Sequence, residues 1–588
     1  MNNKLLIYSV LAIQVGVFSV ACSPHKEQDI SQTENPIEQQ NGKKDQRPQV
    51  SRLVKEEEKI IASATAPVPQ PGVQSRLPVT SKMAKQQFAH GYIAPNAVVT
   101  QDTIRQAYEP LDRENYAHID DNPIKRTVEH PVSTFSIDVD TGSYSNVRRM
   151  LSGGSLPRRD AVRVEEMINY FNYQYPVPGN EKIPFSITTE MAPSPWNNQQ
   201  YLLQVGLKGY DIDRTNLPAA NLVFLIDVSG SMTSANKLPL LKSSMKLLTN
   251  KLRARDKISI VVYAGSSGVV LNPTPGNHKA QIIASLDRLQ AGGSTNGAAG
   301  IRLAYNLAQQ AFVKGGINRV ILATDGDFNV GTTNFEALKD LIEEKRKTGI
   351  TLTTLGFGNG NYNDYLMEQL ADKGNGNYAY IDTLNEARKV LVEEMSSTLK
   401  TIAKDVKIQI EFNPKAVAEY RLIGYENRAL KREDFNNDKI DAGDIGAGHT
   451  VTALYEISLT GSQSQRIDPL RYSNKPEVSA HKVNEIGFLK LRYKNPGTSI
   501  SKLTTQVITR KDILDDINKA TDNLRFSSAV AAFGQLLRGG KYTGQFAYRD
   551  VLKLAQTARG KDMFGYRGEF INLVNMADTL SSNVMSQQ

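Results

Sequence analysis

Hydroxyl and carboxylate side chains lie near the ends of apolar runs in the middle of this 588-residue chain. The residues that could do chemistry together are Asp227, Ser229, Ser231, Thr295 and Asp325. Asp227 follows the apolar run 221–226, and Asp325 follows the run 319–324. Oxygen ligands without histidine or cysteine suit Mg²⁺, with Mn²⁺ or Ca²⁺ as alternatives. Octahedral Mg²⁺ commonly keeps positions for water or a partner's oxygen. These five residues therefore predict a metal site that binds a partner.

The elements that must position these residues are repeated strand and helix units over residues 221–400. Short apolar runs alternate with amphipathic segments, which predicts an α/β fold with a doubly wound, mostly parallel sheet and helices on both faces. The predicted strands are 222–227, 258–263, 319–324, 351–357 and 378–381, with an edge strand near Val269. The predicted helices are 239–253, 279–289, 297–312, 335–347, 364–372 and 385–402. Ligands bind outside the carboxyl ends of such strands, where the polar loops lie.

The order of the motifs is similar to that of a known family. Asp-x-Ser-x-Ser after a first strand, then Thr, then Asp after a later strand resembles the metal-ion-dependent adhesion site (MIDAS) of von Willebrand factor type A domains. The resemblance covers about residues 221–402. It implies that Ser229, Ser231 and Thr295 bind the metal directly and that Asp227 and Asp325 bind it directly or through water. It also implies that a partner protein's Glu or Asp completes the metal shell.

The site lacks an evident general base or nucleophile, which favours binding over catalysis. His278 precedes a predicted helix and lies outside the loops that carry Asp227, Thr295 and Asp325. We therefore expect it to face solvent or cap the helix. We therefore predict that the chain is not an enzyme. Two alternatives remain: a scaffold that works without metal, and a Mg²⁺-dependent hydrolase that activates water beside Asp325 or Asp327.

Three further motifs have ordinary structural interpretations. Asp138-x-Asp140-x-Gly142 is half of a calcium loop by spacing, but no Glu ends it, so we expect a turn or helix cap. The segment 356–360 is rich in glycine without the spacing of a dinucleotide fingerprint. Gly539-Gly540-Lys541 lacks the rest of a phosphate loop and predicts a helix break.

The pattern of the first residues predicts a secretion signal at the amino terminus. Lys4 precedes the apolar run 5–20, which is too short for a comfortable membrane span, and small residues lead to Cys22, the only cysteine. The segment 19–22 resembles a bacterial lipobox, which implies lipidation of Cys22 and an envelope location. Ser23 after the cysteine favours the outer membrane in a Gram-negative source.

The flanking regions differ from the central one in pattern. Residues 134–171 resemble the amino-terminal segment of a bacterial envelope subfamily of von Willebrand proteins whose carboxyl-terminal region is uncharacterised in function. We predict a signal peptide at 1–21, a lipid-anchored disordered linker at 22–83, an α+β segment at 84–216, a von Willebrand factor type A domain at 217–403, a β-rich domain at 404–514 and a helical region at 515–588. We expect the strands before and after the central domain to join in one sheet, with that domain inserted between them.

The composition excludes some partners. The net charge of +9 comes from 70 basic and 61 acidic residues that are mostly interspersed, and no dense basic cluster with aromatics appears. We therefore expect no nucleic acid partner. The expected partners are an envelope protein that offers a carboxylate and the membrane that holds the lipid.

Overall fold

A computed structural model of the chain describes residues 114–179, 183–294, 297–326, 335–472, 482 and 484–587, which belong to one compact unit. The predicted signal peptide, linker and lipidation site at Cys22 lie outside the described residues, as do Thr295 and Asp327. Of the helices in the described ranges, none combines the length and apolar character needed to cross a membrane.

The central region is a six-stranded sheet between helical layers. Its strands are β5 (Ala220–Asp227), β6 (Lys257–Tyr263), β7 (Ser267–Pro275), β8 (Ile317–Thr324), β9 (Thr351–Phe357) and β10 (Tyr378–Ile381). Their order is β10-β9-β8-β5-β6-β7, and all neighbours pair in parallel except β7, which is antiparallel to β6. The doubly wound α/β prediction is confirmed, including the edge strand at Val269.

Helices cover both faces of this sheet because β5 is apolar on both sides. The helices are α3 (Leu238–Lys251), α4 (Lys279–Asp287), α5 (Gly297–Gln310), α6 (Phe335–Arg346) and α7 (Asp364–Lys373). Phe224 packs in one apolar core with Leu241 of α3, whereas Leu225 packs in another with Ile301 of α5. Since successive strand residues point to opposite faces, one central strand serves both cores.

Two antiparallel sheets flank the central region. Their strands are β1 (Lys125–Arg126), β2 (Val132–Ser136), β3 (Phe185–Ser194), β4 (Asn197–Gly209), β11 (Thr401–Phe412), β12 (Val417–Ile423), β13 (Gly443–Gly446), β14 (Thr450–Leu459), β15 (Glu485–Lys494) and β16 (Ser501–Thr509). One sheet has the order β1-β12-β14-β4-β3, and the other contains β13-β11-β15-β16 with β2 paired to β11. Residues of both sheets share one apolar core, so they form a sandwich.

The central domain is an insertion into this sandwich, but the expected single sheet is wrong. β4, which precedes the domain, pairs with β14, whereas β11, which follows it, pairs with β2 in the other sheet. Strands from before and after the domain therefore pair in each sheet. Alternating apolar and polar residues favour burial of one strand face, and that pattern is the same whichever sheet a strand joins.

A helical layer covers the outer face of the sandwich sheet that contains β4 and β14. It consists of α1 (Gly142–Ser152), α2 (Val164–Asn169), α10 (Asp522–Leu537), α11 (Tyr548–Thr557) and α12 (Tyr566–Gln587). Leu454 of β14 packs against these helices, and its neighbours Ala453 and Tyr455 face the sandwich core. Gly539 and Gly540 have positive φ after α10, which confirms the predicted helix break.

Two predicted helices are shorter than expected. Apolar residues at helical spacing over 160–172 predict one amphipathic helix. The structure has instead a 3₁₀ turn at Arg159–Ala161 and then α2, because Arg163 between them is extended and donates its N–H to the Ser143 hydroxyl at 2.8 Å. The segment 385–402 contains α8 (Leu384–Arg388), a π-helical turn and α9 (Met395–Leu399), and β11 begins at Thr401.

Two arginines with little solvent exposure, Arg163 and Arg428, join the sandwich side of the molecule to helix α7; we call this group the arginine junction. Arg163 contacts Glu166 and Asp364, and Arg428 contacts Asp138, Asp140, Glu368 and Asp372. The backbone N–H of Asp140 also donates to Asp138 at 3.1 Å, which confirms the predicted turn. Asp364, Glu368 and Asp372 are spaced by four, so they share one face of α7.

Candidate metal site

Asp227 lies at the carboxyl end of β5 with no solvent exposure. One carboxylate oxygen accepts the backbone N–H of Ser229 at 2.8 Å, and the other accepts the hydroxyls of Thr324 at 2.8 Å and Tyr263 at 3.2 Å. Tyr263 ends β6 in register with Asp227, so parallel pairing places both at the same edge. The side chain is therefore fixed by three neutral donors.

Opposing effects act on the pKa of Asp227. Burial raises the pKa of this carboxyl group, hydrogen bonds from Ser229 and Thr324 lower it, and nearby Asp325 raises it; the net shift is upward. A cation beside Asp227 would favour its ionised form. Since burial disfavours the charge of Asp227, a positive partner at this position would stabilise the carboxylate.

Ser229 and Ser231 lie on the loop after β5. Their hydroxyl oxygens are 3.0 Å apart, and Ser231 is partly exposed whereas Ser229 is buried. The N–H of Gly230 donates to the carbonyl of Gly293 at 3.0 Å, and Gly292 donates to Val228 at 2.8 Å. The glycine-rich segment therefore lies against the serine loop, while Thr295 itself is outside the described residues.

Asp325 follows β8, the strand paired with β5, and is also fully buried. One of its oxygens accepts from the Lys237 ammonium group at 2.8 Å and from the Asn361 amide at 3.4 Å. The Asn361 amide oxygen in turn accepts from Lys237 at 3.0 Å. Asp325 is thus paired with a cation of the chain itself.

The structure brings four predicted residues to one edge and adds others that the sequence argument missed. The additions are Tyr263, Thr324, Lys237 and Asn361. Tyr263 and Thr324 carried a signal, since both end strands of the same sheet. Lys237 and Asn361 did not, because a lysine before a helix and an asparagine in a turn are usually solvated. His278 is exposed just before α4, as expected.

The donor set suits a hard divalent ion. Carboxylate and hydroxyl oxygens from adjoining strand ends are the ligands that Mg²⁺ prefers. Within the described part of the chain, no group of three or more His, Cys, Asp or Glu side chains is arranged to hold a metal. A metal at this edge would therefore depend on the serine hydroxyls. The residues present fit such an ion, with Lys237 as a resident positive charge beside it.

The fold and this loop cluster define the class of von Willebrand factor type A domain proteins. The family model of that domain matches residues 221–394, a second model described as von Willebrand factor matches 110–204, and a third described as "Uncharacterized protein YfbK, C-terminal" matches 397–580. A domain of this class supports an interaction or adhesion type of function.

The sequence is 50% identical over 470 residues to the Uncharacterized protein YfbK of Escherichia coli (strain K12), covering 79% of this chain and 81% of that protein. The chain therefore belongs to the YfbK family of von Willebrand factor type A domain proteins.

More distant likenesses cover smaller shares of the chain or have lower sequence identity. The human inter-alpha-trypsin inhibitor heavy chain H3 is 24% identical over 260 residues, which is 41% of this chain and 28% of that protein. A solved structure of von Willebrand factor type A from Catenulispora acidiphila is 16% identical with a TM-score of 0.36, covering 68% of this chain and 91% of that one.

Proposed function

We propose that this protein is a cell-envelope lipoprotein that binds a protein partner through a divalent ion at the edge of the central sheet. The ion is Mg²⁺, with Mn²⁺ or Ca²⁺ as alternatives. The observation that supports this most is the convergence of Asp227, Ser229 and Ser231 on one loop beside Asp325 on the paired strand. Thr295 completes the set by the family resemblance.

The chain's own residues would prepare the site. Tyr263 and Thr324 hold one oxygen of Asp227, and the Ser229 N–H holds the other. When bound, the ion would supply a positive centre for a partner's Glu or Asp carboxylate. The proposed role is binding without catalysis, because the described residues of this edge offer carboxylates, hydroxyls, an amide and an ion-paired lysine.

A capture experiment tests the proposal. The wild-type protein, immobilised in Mg²⁺, is expected to retain an envelope partner that is released by a chelator. Asp227→Ala should retain none, whereas Ser234→Ala, at an exposed serine three residues after Ser231, should behave like the wild type. Capture that survives both chelation and Asp227→Ala would contradict a metal-dependent function.

The envelope location has its own test. We propose that Cys22 carries lipid and that the folded region is tethered to a membrane, on the periplasmic or surface side of the outer membrane in a Gram-negative source. Several acyl chains on one residue suffice for durable anchoring. Cys22→Ser should move the protein from the membrane fraction to the soluble fraction of cells. Equal membrane retention of the variant would contradict anchoring at this residue.

A metal-independent scaffold is the second candidate, and the ion pair between Lys237 and Asp325 favours it. This contact already neutralises one of the two carboxylates. In that case the flanking sandwich and helices would bind the partner. Undiminished capture by Asp227→Ala in a chelator is the result that would select this function.

A further inference from the structure

Lys237 is the residue just before helix α3, and its side chain extends to the sheet edge that carries Asp227 and Asp325, which we call the metal-site edge. Its side chain is only 7% exposed, and its ammonium nitrogen lies 2.8 Å from Asp325 and 3.0 Å from Asn361. The helix that follows, α3, begins at Leu238. Lysine is rarely buried to this degree without a specific partner, and Asp325 is that partner here.

The glycine-rich loop after β9 forms the slot for the lysine stem. Gly358 has φ of +78°, and a Cβ atom there would overlap the aliphatic carbons of Lys237. Tyr380 donates its hydroxyl to the Gly358 carbonyl, and Glu114 accepts the N–H of Gly360 at 2.9 Å. Both the conformation and the close approach require glycine at position 358. The slot is therefore built into the loop.

Lys237 and any divalent ion held beside Asp227 would compete for the carboxylate of Asp325. The carboxylate is fully buried, and its hydrogen-bonded oxygen is shared by Lys237 and Asn361. A divalent ion that takes Asp325 as a ligand must either displace the ammonium group or tolerate its positive charge a few ångströms away. Like charges at that separation repel strongly inside a protein.

We propose that Lys237 is an internal competitor of the divalent ion and sets the affinity of the site. This inference rests on the proposed metal-binding function and names the residue that regulates it. With the ammonium group on Asp325, that carboxylate stays neutralised in low metal. At higher metal concentration the ion takes over Asp325, and Asn361 retains the displaced lysine.

Direct metal titration of the full chain tests this. Mn²⁺ binding is measured by calorimetry on chelator-stripped wild type, Lys237→Met and Lys246→Met. Methionine keeps the apolar stem and removes the charge. Lys237→Met should bind Mn²⁺ at least about tenfold more tightly, because the ammonium group no longer competes for Asp325 or repels the ion. Lys246 of α3 pairs with Asp287 of α4, away from Asp325. Lys246→Met should therefore match the wild type and control for the change in net charge.

The unfolding temperature is the second measurement. Without metal, Lys237→Met leaves Asp325 without its lysine and should unfold at a lower temperature than the wild type. Added Mn²⁺ should then raise its unfolding temperature more than that of the wild type, because tighter binding stabilises the folded state more. This readout remains usable if the variant is only partly stable.

The outcomes separate the two proposals. If wild type and Lys237→Met bind Mn²⁺ with equal affinity, the metal site stands and Lys237 is no competitor. Weaker binding by Lys237→Met also overturns the inference. If neither protein binds Mn²⁺ and neither is stabilised by it, the proposed metal function fails and the inference fails with it.

Discussion

The edge of the central sheet at Asp227 and the arginine junction both bury carboxylates, yet the groups that hold these carboxylates differ. At the junction, Arg163 and Arg428 each contact carboxylates from more than one segment of the chain. At the edge, Asp227 accepts hydrogen bonds from a backbone N–H and two hydroxyls, which are neutral donors. Neutral donors orient a carboxylate without cancelling its charge. The arginines of the junction therefore hold segments of the chain together, whereas the donors around Asp227 leave its carboxylate available to the proposed cation.

The largest expected effect lies at the junction. Arg163→Leu leaves Asp364 and Glu166 buried without their guanidinium partner, which should lower the free energy of unfolding by about 3–5 kcal/mol. Chemical unfolding measures this. Arg549→Ala, at a side chain that is 80% exposed, should change stability by less than about 0.5 kcal/mol. Similar values for both variants would mean that the junction does not hold the segments together.

The edge should instead respond to metal. Mg²⁺ at a hundred times its dissociation constant should raise the free energy of unfolding by about 2.7 kcal/mol in the wild type. Asp227→Asn should abolish this gain because the charge for the ion is lost. Arg549→Ala should keep the full gain. A gain that persists in Asp227→Asn would place the ion elsewhere.

The slot of Lys237 gives a smaller effect. Gly358→Ala and Gly360→Ala both place a side chain at positive φ, but only position 358 approaches Lys237. Gly358→Ala should therefore lower the free energy of unfolding by about 1–3 kcal/mol more than Gly360→Ala, because of the added overlap. Equal losses in thermal unfolding would show that the lysine has room to move.

The smallest effect is a pH dependence from the junction. Burial raises the pKa of Glu368 to about 7, against the opposing effects of Arg163 and Arg428. The folded state then binds more protons than the unfolded state between the unfolded pKa of Glu368 and about pH 7, so stability falls as the pH rises through about 7. Between pH 6.5 and 8.5 this amounts to roughly 1 kcal/mol.

Glu368→Gln isolates that contribution. The variant should unfold at a temperature that depends less on pH between 6.5 and 8.5 than that of the wild type. The window excludes more acidic pH, where His449, whose pKa is lowered to about 3 by burial, changes stability in the opposite direction. An unchanged pH profile would show that Glu368 stays ionised beside its arginines.

The pattern of the central domain predicted its strands well because buried parallel strands are continuous apolar runs. Strands β9 and β10 begin and end as predicted. Because ligands bind outside the carboxyl ends of parallel strands, the sequence also predicted that Asp227 and Asp325 lie at one edge of the sheet. The family resemblance added Thr295, which remains a prediction.

Long-range charge pairing was not predictable from the same patterns. Lys237 meets Asp325 across 88 residues, and Arg163 meets Asp364 across 201. Periodicity reports which face of an element is apolar, but a charged residue normally indicates solvent. The spacing of Asp364, Glu368 and Asp372 was the available signal, since three acids on one helix face repel unless a cation covers them.

The insertion of the central domain into the sandwich limits how far it behaves as an independent module. A fragment of residues 217–403 would retain Asp364 and Glu368 but lose Arg163 and Arg428, which lie outside it. It would also lose Glu114, which holds the loop beside Asn361. The acidic face of α7 begins at Asp364, three residues after Asn361, and would then be open to solvent. We therefore infer that the partner binding proposed above requires the central domain together with the sandwich into which it is inserted.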